Sequence, residues 1–343
     1  MSFVYVGNLV GETVSVIDTK VNQLIANIGV QGAPIALIVS PNGEYCYVLI
    51  QGVPGNVTVI DTKDHRVIAT VQVGIVIFTS FPFTQMMITH DGQWIYVLNN
   101  LSSNVTVIDT KDYRVIANLQ TNFFSSSIAI TPDDQFAYVA NIISDHSVNV
   151  LEMKANQIIS TIGIGMGAVS IKITPDGRYA YICNRSSNHV SVVDIKANQV
   201  IASVVVGDGP LSLEITADGQ YVYVTNIEGA TVSVIETNTH QVISTVEVGL
   251  NPFNLAITAD DCYVYVVNGD GNTVSVIETR TNRVISTIGV GLTPFTLGIT
   301  ADDRYVYVVN INQSTVSVIE TKTNQVISTV SVDMFPGALA ITP

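Results

Sequence analysis

The phrase Tyr-Val-x-Asn recurs along the chain, and its spacing restricts the fold more than any other feature. It stands at Tyr5–Asn8, Tyr96–Asn99, Tyr138–Asn141, Tyr223–Asn226, Tyr265–Asn268 and Tyr307–Asn310, with close copies at Tyr181–Asn184 and a worn one at Tyr47–Ile50. Successive tyrosines are 42 or 43 residues apart, except for one gap of 49 between Tyr47 and Tyr96. A fixed period of that length marks repeated supersecondary units that bury their faces against one another. The length of 343 residues would otherwise suggest about two domains. The repeat argues instead for one domain over residues 1–343.

Residues 211–248 serve as the type unit. Leu211–Thr216 reads as a first strand, A, and Ala217–Gln220 as a tight turn whose Asp-Gly supplies positive-φ chemistry. Tyr221–Asn226 is strand B, Thr231–Glu236 strand C and Gln241–Val248 strand D, all rich in β-formers. No segment has helical apolar periodicity. Four antiparallel strands per repeat make a propeller blade; a β-helix has shorter coils and lacks four distinct turn signals. Eight B strands and eight C strands predict an all-β, eight-bladed β-propeller. The chain opens at a strand B and closes at Ala338–Pro343, a strand A. Joining the two would rebuild an A–B turn with one residue missing, so the last blade is expected to take its A strand from the C-terminus. That pairing removes two exposed sheet edges.

Composition agrees with a chain whose strands are covered on both faces. Charged residues are 12%, about half the usual ~25%, and mean hydropathy is +0.41. Gly, Asn, Asp and Thr interrupt every apolar run, so no membrane span is expected. The net charge of −14 and the absence of a basic cluster argue against nucleic-acid binding. Cys46, Cys183 and Cys262 lie in three repeats and fit no zinc spacing. They are expected to be free thiols, each a small buried hydrophobe. No basic-then-apolar leader opens the sequence, which predicts a cytoplasmic protein as written; a removed leader would place it at the cell surface. A monomer is expected.

The Tyr-Val-x-Asn phrase, the following Thr-Val-Ser-Val-Ile-(Asp/Glu)-Thr and the Val-Ile-x-Thr-(Ile/Val)-x-Val-Gly strand resemble the YVTN family of β-propeller repeats across essentially the whole chain. That family occurs in bacterial and archaeal surface-layer and cell-surface proteins. The resemblance implies the propeller fold and, by analogy, a binding scaffold. Related propellers include lactonases, metal-dependent lyases of the virginiamycin B type and quinoprotein dehydrogenases. None of their catalytic motifs matches this sequence.

In such a blade the D→A and B→C connections share one end and the A→B and C→D turns the other. Repeats from about residue 211 onward are near consensus; departures concentrate in residues 31–190. The long gap adds residues near Gln51–Asn56 and in Gly74–Gln85, bringing Phe78, Phe81 and Phe83. These three either line a ligand mouth or fold down as a plug of the channel end. The next D→A links carry Phe123 and Phe124, then Met166, in place of the consensus Gly-x-x-Pro-Phe. His146 and His189 occupy adjacent B→C loops, with Arg185 nearby. They read as solvated loop residues or as a general base and its neighbours. Without a placed carboxylate they are no metal motif. Lys172 and Glu214 share one strand-A position, where Ala or Gly stands in four other blades. A lone buried charge is expensive, so a mutual pair is expected. His65, His90 and His240 are read as inert turn residues, and Asp133–Asp134, Asp260–Asp261 and Asp302–Asp303 as turns rather than calcium ligands.

The leading reading is a non-catalytic scaffold binding a protein, glycan or small ligand at the D→A/B→C end, with no cofactor; a divalent metal, with His146 as a ligand, is the lesser alternative. The rival is a lyase or lactone hydrolase with its pocket over residues 78–190, using His146, His189, Arg185, Lys172 and Glu214. A structural surface or spore-coat element is the third.

Overall fold

The computed structural model describes residues 2–77, 85–143 and 146–343. Its strands form eight four-stranded antiparallel sheets, the blades of an eight-bladed β-propeller, with two single-turn 3-10 segments among the described residues. In the type repeat strand A is Pro210–Ile215, B is Tyr221–Asn226, C is Thr231–Glu236 and D is Gln241–Glu247, paired in that order. Contacts group the blades into two units of four. One holds residues 3–29 with 336–341, 34–72, 253–279, 284–289 and 294–331; the other holds 86–120, 125–163, 168–205 and 210–247 with the turn 280–283.

The first blade joins the two ends of the chain. Strand A, Pro336–Ile341, pairs antiparallel with Phe3–Asn8. The Phe3 N–H donates to Thr342 Oγ1 at 2.7 Å and the Thr342 N–H to the Phe3 carbonyl at 2.9 Å. The unbroken turn at Thr174–Tyr179 makes the same two bonds, at 3.1 and 2.9 Å. Phe3 therefore stands where Tyr179 stands, as the repeat predicts. The insertion after Gly74 has a different cost. Gly52 and Val76 exchange backbone hydrogen bonds outside the blade, and the following strand A, Met86–Ile88, is three residues long instead of six. Phe78, Phe81 and Phe83 lie outside the described residues.

Strands B and C are buried on both faces because neighbouring blades cover them. Tyr5, Val14, Val16, Cys46, Val48 and Ile60 form one such core, drawn from two blades; Tyr138, Val148, Val150, Ile171, Ile182 and Val193 form another. This answers how so apolar a chain can fold with so few charges. No helix among the described residues is long and apolar enough to cross a membrane.

Strand D is the outer edge and carries a repeated irregularity. In the type blade Val234 faces Ser244 and Ile235 faces Val242, so Ile243 is an extra, unpaired residue. The same bulge falls at Ile25, Ile68, Ile116, Ile159, Ile201 and Ile327. All seven isoleucines are about half exposed. A bulge bends and twists its strand, and twisting an edge away is one way to stop it pairing with another sheet.

The cysteines correct one expectation. Cys46 and Cys183 are buried free thiols, and burial pushes both pKa values up. Cys262 is free but exposed, because it occupies the A→B turn, where Gln220 and Arg304 stand in other repeats. One thiol per chain is therefore expected to react with an alkylating agent in the native protein and three after denaturation without reductant. A native count of zero or a denatured count of one would contradict this arrangement.

Candidate functional site

The repeat builds two distinct ends on every blade. At one end the B→C loop packs on the D→A link: the Arg185 N–H donates to the Gly167 carbonyl (2.9 Å), Ile227 to Gly209 (2.9 Å) and Ile311 to Thr293 (3.1 Å). Beneath the link lies the final Asn of strand B. Asn226 Nδ2 donates to Thr231 Oγ1 (3.0 Å) and Ser233 Oγ (2.9 Å). Asn268 and Asn310 repeat both bonds. The link above must be slim. A Cβ on Gly207 would lie 2.6 Å from Asn226 Nδ2, and one on Gly291 2.6 Å from Asn310 Cγ. The signature Tyr and Asn are thus folding residues: one fills the blade interface and the other ties strand B to strand C.

Phe123, Phe124 and Met166, three of the departures from consensus, sit on this scaffold in the second unit. Phe123 is 46% exposed and tilted against Phe124, ring centroids 6.0 Å apart. Phe124 holds a positive φ of 61°, and its carbonyl accepts from the Ile142 N–H. Met166 is 51% exposed and held by its carbonyl, which accepts from the Ser186 N–H. The next residue, Gly167, has φ 75°, and a Cβ there would lie 2.4 Å from Ser186 Oγ. The link is therefore fixed in a conformation that favours glycine and leaves Met166 outward. Ile143, in the B→C loop, is exposed as well.

The polar candidates are mostly committed to local bonds. Arg185, in the turn Arg185–Ser187, reaches Glu228 Oε1 in the next blade at 3.1 Å. His189 Nδ1 donates to the Ser187 carbonyl. His146 has a positive φ and a buried Nδ1 without a hydrogen-bond partner among the described residues. No described contact joins His146 to His189, nor either histidine to Lys172 or Glu214. No group of three or more His, Cys, Asp or Glu able to hold a metal occurs among the described residues. The Asp turns are turns: Asp133, Asp260 and Asp302 each accept the hydroxyl of the Thr two residues before, at 2.6 Å. That bond holds the Asp260 and Asp302 carboxyls below the usual range.

Lys172 and Glu214 do meet. Nζ lies 2.6 Å from Oε1 across adjacent A strands, with the side chains 36% and 31% exposed. Water screens such a pair, so its coupling is expected to be about 0.2–1 kcal/mol, smaller than for a buried pair. Lys172→Ala and Glu214→Ala should each destabilise slightly. The double variant should cost less than their sum, since Ala occupies this position elsewhere. Additive melting-temperature changes would show that the two do not interact in solution.

Two features were not anticipated from the sequence. Leu250, Leu292 and Met334 are more than half exposed at the D→A link position that Met166 occupies. Apolar link tips are therefore not confined to the divergent repeats; the signal was the shared position, hidden because consensus residues look structural. In addition, a cleft of about 430 Å³ lies at the opposite end of the first unit's blades. Lys20, Asp302, Arg304 and Tyr305 help to line it, with mixed charge and none of Phe123, Met166, His146, Arg185, His189, Lys172 and Glu214.

A family model described as YNCE-like beta-propeller matches residues 84–261. No curated protein matches the sequence. Among solved structures, hydrazine synthase of Kuenenia stuttgartiensis superposes with a TM-score of 0.68 at 21% identity, covering 84% of this chain and 95% of that one. Dihydro-heme d1 dehydrogenase NirN superposes with a TM-score of 0.84 at 17% identity, covering 98% and 74%. A protein of unknown function from Desulfotomaculum acetoxidans gives 0.68 at 20% identity, covering 87% and 98%. At these identities the likeness shows the fold.

Proposed function

The chain belongs to the YNCE-like β-propeller family, and on that premise we propose that it is a non-catalytic binding scaffold. Its ligand, a protein or small molecule with an apolar surface, sits on the D→A/B→C end of the blades at 125–163 and 168–205. The observation that carries this reading is the outward placement of Phe123 and Met166 on links held by backbone bonds, together with the exposed Ile143 in a B→C loop. Apolar side chains held out on a rigid frame are suited to docking, because little conformational freedom remains to be lost on binding. Arg185 and His189 are tied into local bonds, which supports binding over proton transfer at those two residues. A cell-surface setting of the YVTN kind belongs to the same proposal and is supported by the repeat phrase alone. NirN and hydrazine synthase carry enzymatic names, so the same fold also serves catalytic proteins. The half-exposed Lys172–Glu214 pair is what favours a lyase or lactone hydrolase here.

Photo-crosslinkers placed at 123 and 166 test the proposal against crosslinkers at 63 and 322 on the opposite end. A saturable adduct, competed by unlabelled protein, is expected at the first two positions only. Capture restricted to 63 and 322 would overturn the placement. Turnover of a lactone substrate that is lost in Lys172→Ala and Glu214→Ala would overturn the non-catalytic reading.

A further inference from the structure

Seven of the signature tyrosines have a described joint to the next blade, and two of these fasteners differ chemically from the rest. The last residue of every C→D turn has a positive φ, from Asn22 at 53° to Asn324 at 53°. Its N–H closes the turn on the carbonyl four residues back: Asn22 to Asp18 (2.8 Å), His65 to Asp61 (2.9 Å), His240 to Glu236 (2.9 Å). The backbone so placed swings the side chain over the tyrosine of the preceding blade. At five joints the tyrosine hydroxyl donates to an Asn Oδ1. Tyr138–Asn198, Tyr223–Asn282 and Tyr265–Asn324 are 2.8 Å apart, Tyr96–Asn156 3.3 Å, and Tyr307–Asn22 is short. At two joints the partner is a histidine Nδ1: Tyr5–His65 at 2.9 Å and Tyr181–His240 at 2.8 Å. Each imidazole also stands edge-on to a second ring, His65 on Phe3 at 4.8 Å and His240 on Tyr179 at 4.9 Å.

An amide oxygen keeps its lone pairs at every pH, whereas an imidazole nitrogen loses its own on protonation. The tyrosines cannot compensate by ionising, because burial pushes the hydroxyls of Tyr5 and Tyr181 upward. A protonated His donates from Nδ1, so the hydroxyl must turn round to accept, its own proton loses the imidazole as partner, and a cation is placed in a half-buried aromatic pocket. We propose that Tyr5–His65 and Tyr181–His240 are acid-sensitive joints, in a molecule whose other described joints of this type are indifferent to pH.

The charges around each site decide the sign. His65 faces Tyr5 on strand B of the preceding blade and Asp61 and Asp64 on its own turn, with Arg66 3.8 Å from Asp64. Burial lowers its pKa more than the two carboxylates raise it. His240 faces Tyr179, Tyr181 and Arg178, and Glu236 on its own turn; burial and then Arg178 lower its pKa. Both folded values lie below 6.5. The contribution of each joint is therefore complete above the unfolded value and is lost as pH falls below it.

The test compares the protein with the double variant His65→Asn/His240→Asn, which installs the residue used at the five sister joints. Thermal unfolding is followed from pH 7.5 to 5.0. Carboxylate effects are common to both proteins, so the expected result is an extra fall of about 2–4 °C in the unsubstituted protein. Histidine ring-proton NMR should give both values below 6.5. Superimposable melting profiles, or titration of both rings at or above 6.5, would overturn the proposal. If the double variant does not fold, the NMR titration of the unsubstituted protein decides alone.

Discussion

Removal of residues 337–343 is expected to abolish the stable fold of the first blade and to send the protein into aggregates. The truncation takes away nearly all of strand A, so Phe3–Asn8 loses its hydrogen-bonded neighbour along one edge. It also removes Ala338, Leu339 and Ile341, which pack against Val4, Val6, Tyr307 and Leu37 of the same unit. The half-buried Leu339 and Ile341, each worth less than a fully buried aliphatic side chain at about 1.5–3 kcal/mol, together with the strand's hydrogen bonds at about 0.5–1.5 kcal/mol each, put the loss at several kcal/mol. That is a large part of the stability of an ordinary domain, about 5–15 kcal/mol. Calorimetry and light scattering of the truncated protein check the result. A melting temperature equal to that of the full chain would show that the terminal strand does not join the two ends in solution.

A comparable loss is expected from a single signature tyrosine, and its two halves separate. Tyr265 is fully buried, and its hydroxyl donates to Asn324 at 2.8 Å in the neighbouring blade. Tyr265→Ala empties the space between two blades, at about 3–5 kcal/mol. Tyr265→Phe keeps the ring and deletes only the joint, at about 0.5–1.5 kcal/mol plus the cost of the stranded Asn324 oxygen. Urea unfolding of both variants measures the ratio. Equal losses would mean that the hydroxyl, not the ring, holds the blades together.

The two variants also show why the fold could be read from the sequence and the site could not. Tyr265 and Asn268 repeat because a blade needs a large ring at one place and a two-handed donor at another. The ring recurs in all eight blades and the Asn in seven, Ile50 standing in the other, which leaves a visible period. Lys172 and Glu214 were legible for the converse reason: two outliers at one repeat position, of opposite charge, have an obvious use for each other. His65 and His240 were passed over because a positive-φ turn accepts His much as it accepts Asn, and only coordinates reveal a tyrosine from the preceding blade beneath them. Cys262 was assigned to the interior on residue type, while its place in the turn decided otherwise. Phe123 and Met166 could be located in links, but only the backbone bonds of those links show that their side chains are held outward.

The bulged isoleucines bear on how the molecule behaves in a crowd. A chain of 343 residues with a net charge of −14 depends little on electrostatic repulsion once salt has screened it beyond about 8 Å. The kink at Ile243 and its counterparts also turns each rim away from pairing with another, and that effect is a matter of shape and does not fade with ionic strength. Concentrated solutions should therefore stay dispersed in molar salt. Excising Ile243 alone would straighten one rim and give the protein a single adhesive side, through which two molecules would pair without forming a chain.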